Sequence, residues 1–205
     1  MCLFDLANTG MTKHIILITD TQERALIIES ILGKADYIVS ARISLNDDWS
    51  RNIGKASFDA VFIATARSSP KILNGIRRIS HEQPRPIVMF VDSDDGTAVD
   101  IATQAGVSAY VVDGLVGDRT TRIKAIMSAA IARFNAVQAL RLELDETKAQ
   151  LQERKIIERA KGFLMKQRGY SEDDAYRALR KLAMDRNKRL AEIASNVVST
   201  SELIG

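Results

Sequence analysis

The chain has 205 residues, a net charge of +3 and 46% apolar residues, enough for one large domain or two small ones with packed cores. No run approaches the roughly 18 uninterrupted apolar residues of a membrane span, and Cys2 is the only cysteine, which excludes an internal disulfide and a cysteine-based metal site. The start, MCLFDLANTGMTKH, lacks the basic segment and long apolar core of a secretion signal. A cytoplasmic protein without a membrane partner is expected, with residues 1–12 as a disordered extension and either Met1 or Met11 as the natural start.

Residues 14–116 alternate short apolar runs with helix-like segments. HIILIT (14–19), YIVSARI (37–43), FDAVFIAT (58–65), PIVMFVD (86–92) and AYVVD (109–113) read as five strands. ERALIIESILGKA, KILNGIRRI and GTAVDIATQAG read as helices between them. Near-continuous apolar strands alternating with helices predict a parallel sheet covered on both faces, an α/β flavodoxin-like doubly wound domain of five βα units.

FDAVFI, RPIVMFVD and AGVSAYVVDGL sit where a response-regulator receiver domain carries its third, fourth and fifth strands, and residues 13–133 resemble that family. The resemblance implies an acidic pair for Mg²⁺, an acceptor Asp, a hydroxyl residue and a Lys at strand ends. Matched residue by residue, the acidic pair is Thr19-Asp20, the acceptor is Ala64, the hydroxyl position is Val91 and the Lys position is Asp113. The fold is therefore expected without the phosphoryl chemistry, a pseudo-receiver. Asp20, Asp92, Asp94 and Asp95 read as solvated loop acids rather than metal ligands, and neither metal nor cofactor is expected.

From Asp118 to Arg168 there is no Pro and one Gly, Gly162, among strong helix formers. A heptad register places Ile123, Ile126, Ala130, Arg133, Val137, Leu140, Leu144, Thr147, Leu151 and Arg154 at a/d positions, seven of the ten apolar. A helix of about 50 residues, roughly 75 Å long, must bury this stripe on a second copy or on its own domain. A homodimer through Ile126, Val137, Leu140, Leu144 and Leu151 is the expectation.

Residues 154–190 hold twelve Lys/Arg against five Asp/Glu, a local charge of +7, so the rest of the chain sums to −4. That asymmetry points to a polyanion-binding end. Gly169 follows Lys166 and Arg168 as a helix stop, Ser171 with the acids after it starts a second helix, and LAEIASNVVS forms a third. In the second helix Ala175, Leu179, Leu182 and Ala183 should face a small core, leaving Arg177, Arg180, Lys181 and Lys188 outside. Lys161, Lys166 and Arg168 add charge from the preceding helix. Gly162 permits close helix–helix or helix–RNA approach, and Tyr170 and Tyr176 either stack on unpaired bases or pack at the core rim.

ERAKGFLM (158–165), GYSEDDAYRALRKLAM (169–184) and LAEIASNVV (190–198) together resemble the ANTAR domain, the RNA-binding module of AmiR- and NasT-type transcription antiterminators. Domains are expected at 13–120 (pseudo-receiver), 121–155 (coiled-coil linker) and 156–205 (three-helix ANTAR bundle). The order most resembles a NasT-type regulator. That resemblance implies a non-enzymatic antiterminator of nitrate/nitrite assimilation that binds paired hairpins of a leader mRNA. It also implies control by a cytoplasmic ligand-binding sensor protein, NasS-like, in place of phosphorylation. The alternative reading is a DNA-binding response regulator with a helix-turn-helix-like tail, disfavoured because the first tail helix belongs to the coiled coil.

Overall fold

The structure is a computed structural model describing residues 13–49, 53, 57–94, 96, 98–112 and 119–204. The expected extension at 1–12, Asp95 and Asp113 lie outside the described residues.

The elements run β1 (Lys13–Thr19), α1 (Gln22–Lys34), β2 (Tyr37–Ser44), β3 (Ala60–Thr65), α2 (Pro70–Glu82), β4 (Ile87–Val91), α3 (Ala98–Ala105), β5 (Ala109–Val112), α4 (Arg119–Arg168), α5 (Glu172–Asp185) and α6 (Leu190–Ile204). All strand pairs are parallel, in the order β2-β1-β3-β4-β5. This is the flavodoxin- and receiver-type winding expected from the sequence.

The two-sided core explains the unbroken apolar strands. Ile16, Ile18, Val61, Ile63 and Met89 face α2 and α3, while Ile15, Leu17, Phe62 and Phe90 face α1 and the start of α4. The Phe62 and Phe90 rings stack with centroids 4.9 Å apart. Gly75 lets α2 lie directly on Trp49, since a Cβ there would sit 2.4 Å from the indole. Strand β3 begins at Ala60 rather than Phe58. Asp59 closes its open end, accepting a 2.7 Å bond from the His14 amide and donating its own amide to the His14 carbonyl at 2.8 Å.

Helix α4 is continuous over 50 residues, and the chain divides into two compact units within it, between Val137 and Gln138. Its first turns belong to the α/β unit. Ile123, Met127 and Ala130 are buried in the sheet's second face, and Ile126 packs against the same cluster. Of the expected seam residues, Ile126 is thus partly covered by its own α/β unit. Val137, Leu140, Leu144 and Leu151 stay 41–65% exposed.

Candidate nucleic-acid interface

The C-terminal unit is a three-helix core built on small side chains. Ala160, Leu179, Ala183, Ile193 and Ala194 form its centre, ringed by Ile156, Ile157, Leu164, Leu182, Leu190 and Val197. The alanines let three helices approach closely around Leu179 and Ile193. Gly169, at φ +67°, ends α4 with its amide bonded to the Met165 carbonyl at 3.0 Å. The Ser171 hydroxyl caps α5, accepting from the Asp174 amide at 3.2 Å. Glu172, Asp173 and Asp174 put acid in the first turn, where the helix dipole favours it. Asn187, also left-handed at φ 49°, turns the chain after α5, and the Lys188 amide closes on the Ala183 carbonyl at 2.9 Å.

This scaffold buries Ala175, Leu179 and Ala183 and presents the opposite side of α5 to solvent. Arg177, Arg180 and Lys181 are exposed there, beside Tyr176 and Met184, and Lys166 and Arg168 are exposed at the end of α4. None of these five cations has a carboxylate partner within salt-bridge distance among the described residues. Tyr170 and Tyr176 are 40% and 42% exposed, outside the core cluster.

Two expected contacts are placed differently. Lys161 is only 7% exposed, and its ammonium lies 2.9 Å from Glu158 and 2.6 Å from Glu172. Hydrogen bonds to Glu172, then Glu158, push the Lys161 pKa up, and the same bond holds the Glu172 carboxyl below its ordinary value. Lys161 thus ties α4 to the first turn of α5. Lys188 is exposed but paired with Glu192 one turn on. Gly162 has no neighbour within 4 Å of an added Cβ, so helix–helix packing does not account for it here. Arg159 and Lys166 lie on its face of α4, three residues before and four after. Arg159 and Arg186 are exposed and add positive charge beyond the expected set. Arg186 joins Arg168 at the rim of a groove floored by Phe163, Leu182, Ile193 and Val197.

In the α/β unit the structure describes Asp20, Ala64 and Val91 of the positions matched to a phosphorylation site. Ala64 is wholly buried in β3, in register with Thr19 and Phe90, and offers only a methyl group. Val91 ends β4, buried opposite Thr65. Asp20 accepts bonds from the Ala66 amide at 2.7 Å and the Thr65 hydroxyl at 3.3 Å. Sequence reading missed Arg24, which contacts both Asp20 and Asp92; the i,i+4 spacing of Asp20 and Arg24 was the available signal. Among the described residues no group of three or more His, Cys, Asp or Glu can hold a metal, and no helix is long and apolar enough to cross a membrane.

Residues 145–198 match the ANTAR domain family. The chain is 30% identical over 129 residues to the transcriptional regulatory protein PdtaR of Mycobacterium tuberculosis, covering 62% of this chain and 61% of that protein. It is 45% identical over 67 residues to the nitrate regulatory protein of Klebsiella oxytoca, 33% of this chain and 17% of that protein. A pilus assembly-related protein from Burkholderia pseudomallei shares the fold, with a TM-score of 0.52 at 17% identity over 62% of this chain and 96% of that one.

Proposed function

We propose that this chain, whose residues 145–198 match the ANTAR domain family and whose first unit has a receiver-type α/β winding, is an RNA-binding transcription antiterminator acting on paired hairpins of a leader transcript. The observation that carries the reading is the outer face of α5, where Arg177, Arg180 and Lys181 stand without carboxylate partners beside a half-exposed tyrosine. Cations already neutralised by their own fold gain little from phosphate. Unpaired, clustered ones raise a positive potential and release counterions on binding. Tyr170 and Tyr176 supply the flat apolar rings on which unpaired loop bases stack.

The exposed stripe Val137, Leu140, Leu144 and Leu151 supports a homodimer presenting two such faces, one for each hairpin. Ala64 in the acceptor place supports control by a sequestering sensor protein in the cytoplasm rather than by phosphorylation. The likeness to a nitrate regulatory protein supports nitrate or nitrite as the signal.

The test is a salt-titrated comparison of a two-hairpin leader RNA with duplex DNA of equal length. RNA should bind more tightly, and Arg180→Ala with Lys181→Ala should lower the salt slope by about one unit per lost phosphate contact. Equal affinity for duplex DNA would turn the reading toward a DNA-binding regulator, and unchanged hairpin affinity in the variant would remove its support.

A further inference from the structure

We propose that Arg24 stands in for a divalent cation at the sheet's carboxyl edge, fixing the ends of β1, β3 and β4 in one arrangement that needs neither metal nor phosphoryl group. Asp20 follows β1 and Asp92 follows β4, the strands on either side of β3. One guanidinium joins them. Its Nε donates to Asp20 at 2.9 Å, and its two terminal nitrogens donate to the two oxygens of Asp92 at 2.7 Å each. The second oxygen of Asp20 holds the Ala66 amide and the Thr65 hydroxyl at the end of β3. The Asp92 amide in turn donates to the carbonyls of Thr65 and Ala66, at 3.3 and 3.2 Å.

The helix alone gives no reason for a cation at this position. Arg24 lies in the first turn of α1, behind the Thr21 cap, the end where the helix dipole disfavours a cation. Its surroundings offset that cost only because two carboxylates converge on it. A planar fork meets both directly, whereas Mg²⁺ requires an octahedral shell and keeps several waters. The fork is tethered to α1, so its presence does not vary with ion concentration. Nor does it vary with pH in the physiological range: the Asp92 hydrogen bond first, and the charges of Asp20 and Asp92, raise the Arg24 pKa, while Arg24 holds the Asp92 carboxyl below its usual range.

The experiment uses the full chain, Arg24→Met, thermal melting with and without Mg²⁺, and the amide resonances of Ala66 and Asp92. Wild type should be indifferent to Mg²⁺ and to a chelator in both readouts. Arg24→Met should melt lower by roughly 4 °C or more, regain part of that loss with Mg²⁺, and show Mg²⁺-dependent shifts of both amides as the bared carboxylates take the ion. A variant that melts like wild type, a loss that Mg²⁺ does not relieve, or a wild type that responds to Mg²⁺ would each overturn the proposal. Should Arg24→Met fail to fold, Arg24→Met with Asp92→Asn removes the bared charge as well. It should fold and ignore Mg²⁺; failure to fold there would show that Arg24 is required for packing rather than as a counter-ion.

Discussion

At the scale of single residues, Lys161 and Gly162 are neighbours with opposite surroundings. Lys161 is engaged by Glu158 and Glu172, so its loss should be felt first in the α4–α5 junction and only through it at the proposed RNA face. Because the Glu172 carboxyl is depressed, its contribution is present above the ordinary carboxylate range and lost as pH falls through the lowered value. Wild type should therefore melt above Glu172→Gln at neutral pH, and the two should converge in acid; parallel curves at all pH values would refute the tie. Gly162 is the reverse case. With nothing near an added Cβ, Gly162→Ala should raise helix stability by about 0.5–1 kcal/mol while weakening hairpin binding, and calorimetry beside a binding titration separates the two. The candidate site was partly legible at this scale. The cations of α5 could be read from periodicity, since a helix with Ala175, Leu179 and Ala183 inward must put Arg177, Arg180 and Lys181 outward. The fate of Lys161 could not, because its partner Glu172 lies across a turn whose angle is set by the small-residue core.

At the scale of elements, α4 carries the main lesson about patterning. Its heptads are continuous in sequence, yet Ile123 and Ala130 are buried in the α/β unit while Leu140, Leu144 and Leu151 remain exposed. A repeat reports that a face is apolar, not which surface covers it, so periodicity could not divide the covered part of the stripe from the exposed part. Strands β1, β3 and β4 were legible for the complementary reason: burial on both faces leaves a nearly unbroken apolar run, whereas β2 at the sheet edge carries Ser40 and Arg42. Leu140→Lys with Leu144→Lys would place two charges in the proposed seam, where burying them without partners is costly. Light scattering should then report monomers under conditions where the wild type is dimeric. A wild type that is monomeric even with RNA bound would remove the seam.

At the scale of the whole molecule, a parallel doubly wound sheet was legible from five apolar runs with helix-like segments among them, and the structure gives its order as β2-β1-β3-β4-β5. What did not follow was how the sheet's carboxyl edge is held together, since Arg24 and Asp92 are 68 residues apart. With Ala64 at the acceptor place, exposure to acetyl phosphate and Mg²⁺ should leave the intact mass unchanged; a hydroxylamine-labile adduct the size of a phosphoryl group would contradict this. The buried methyl of Ala64 also has a consequence for dosage. A kinase is a catalyst, and a few copies can convert a large pool of regulators. A partner that restrains its target by occupying it works one for one. Under the proposed sequestration, the threshold of the response is set by the ratio of the two proteins' copy numbers, and doubling the synthesis of this chain alone would leave the surplus permanently active.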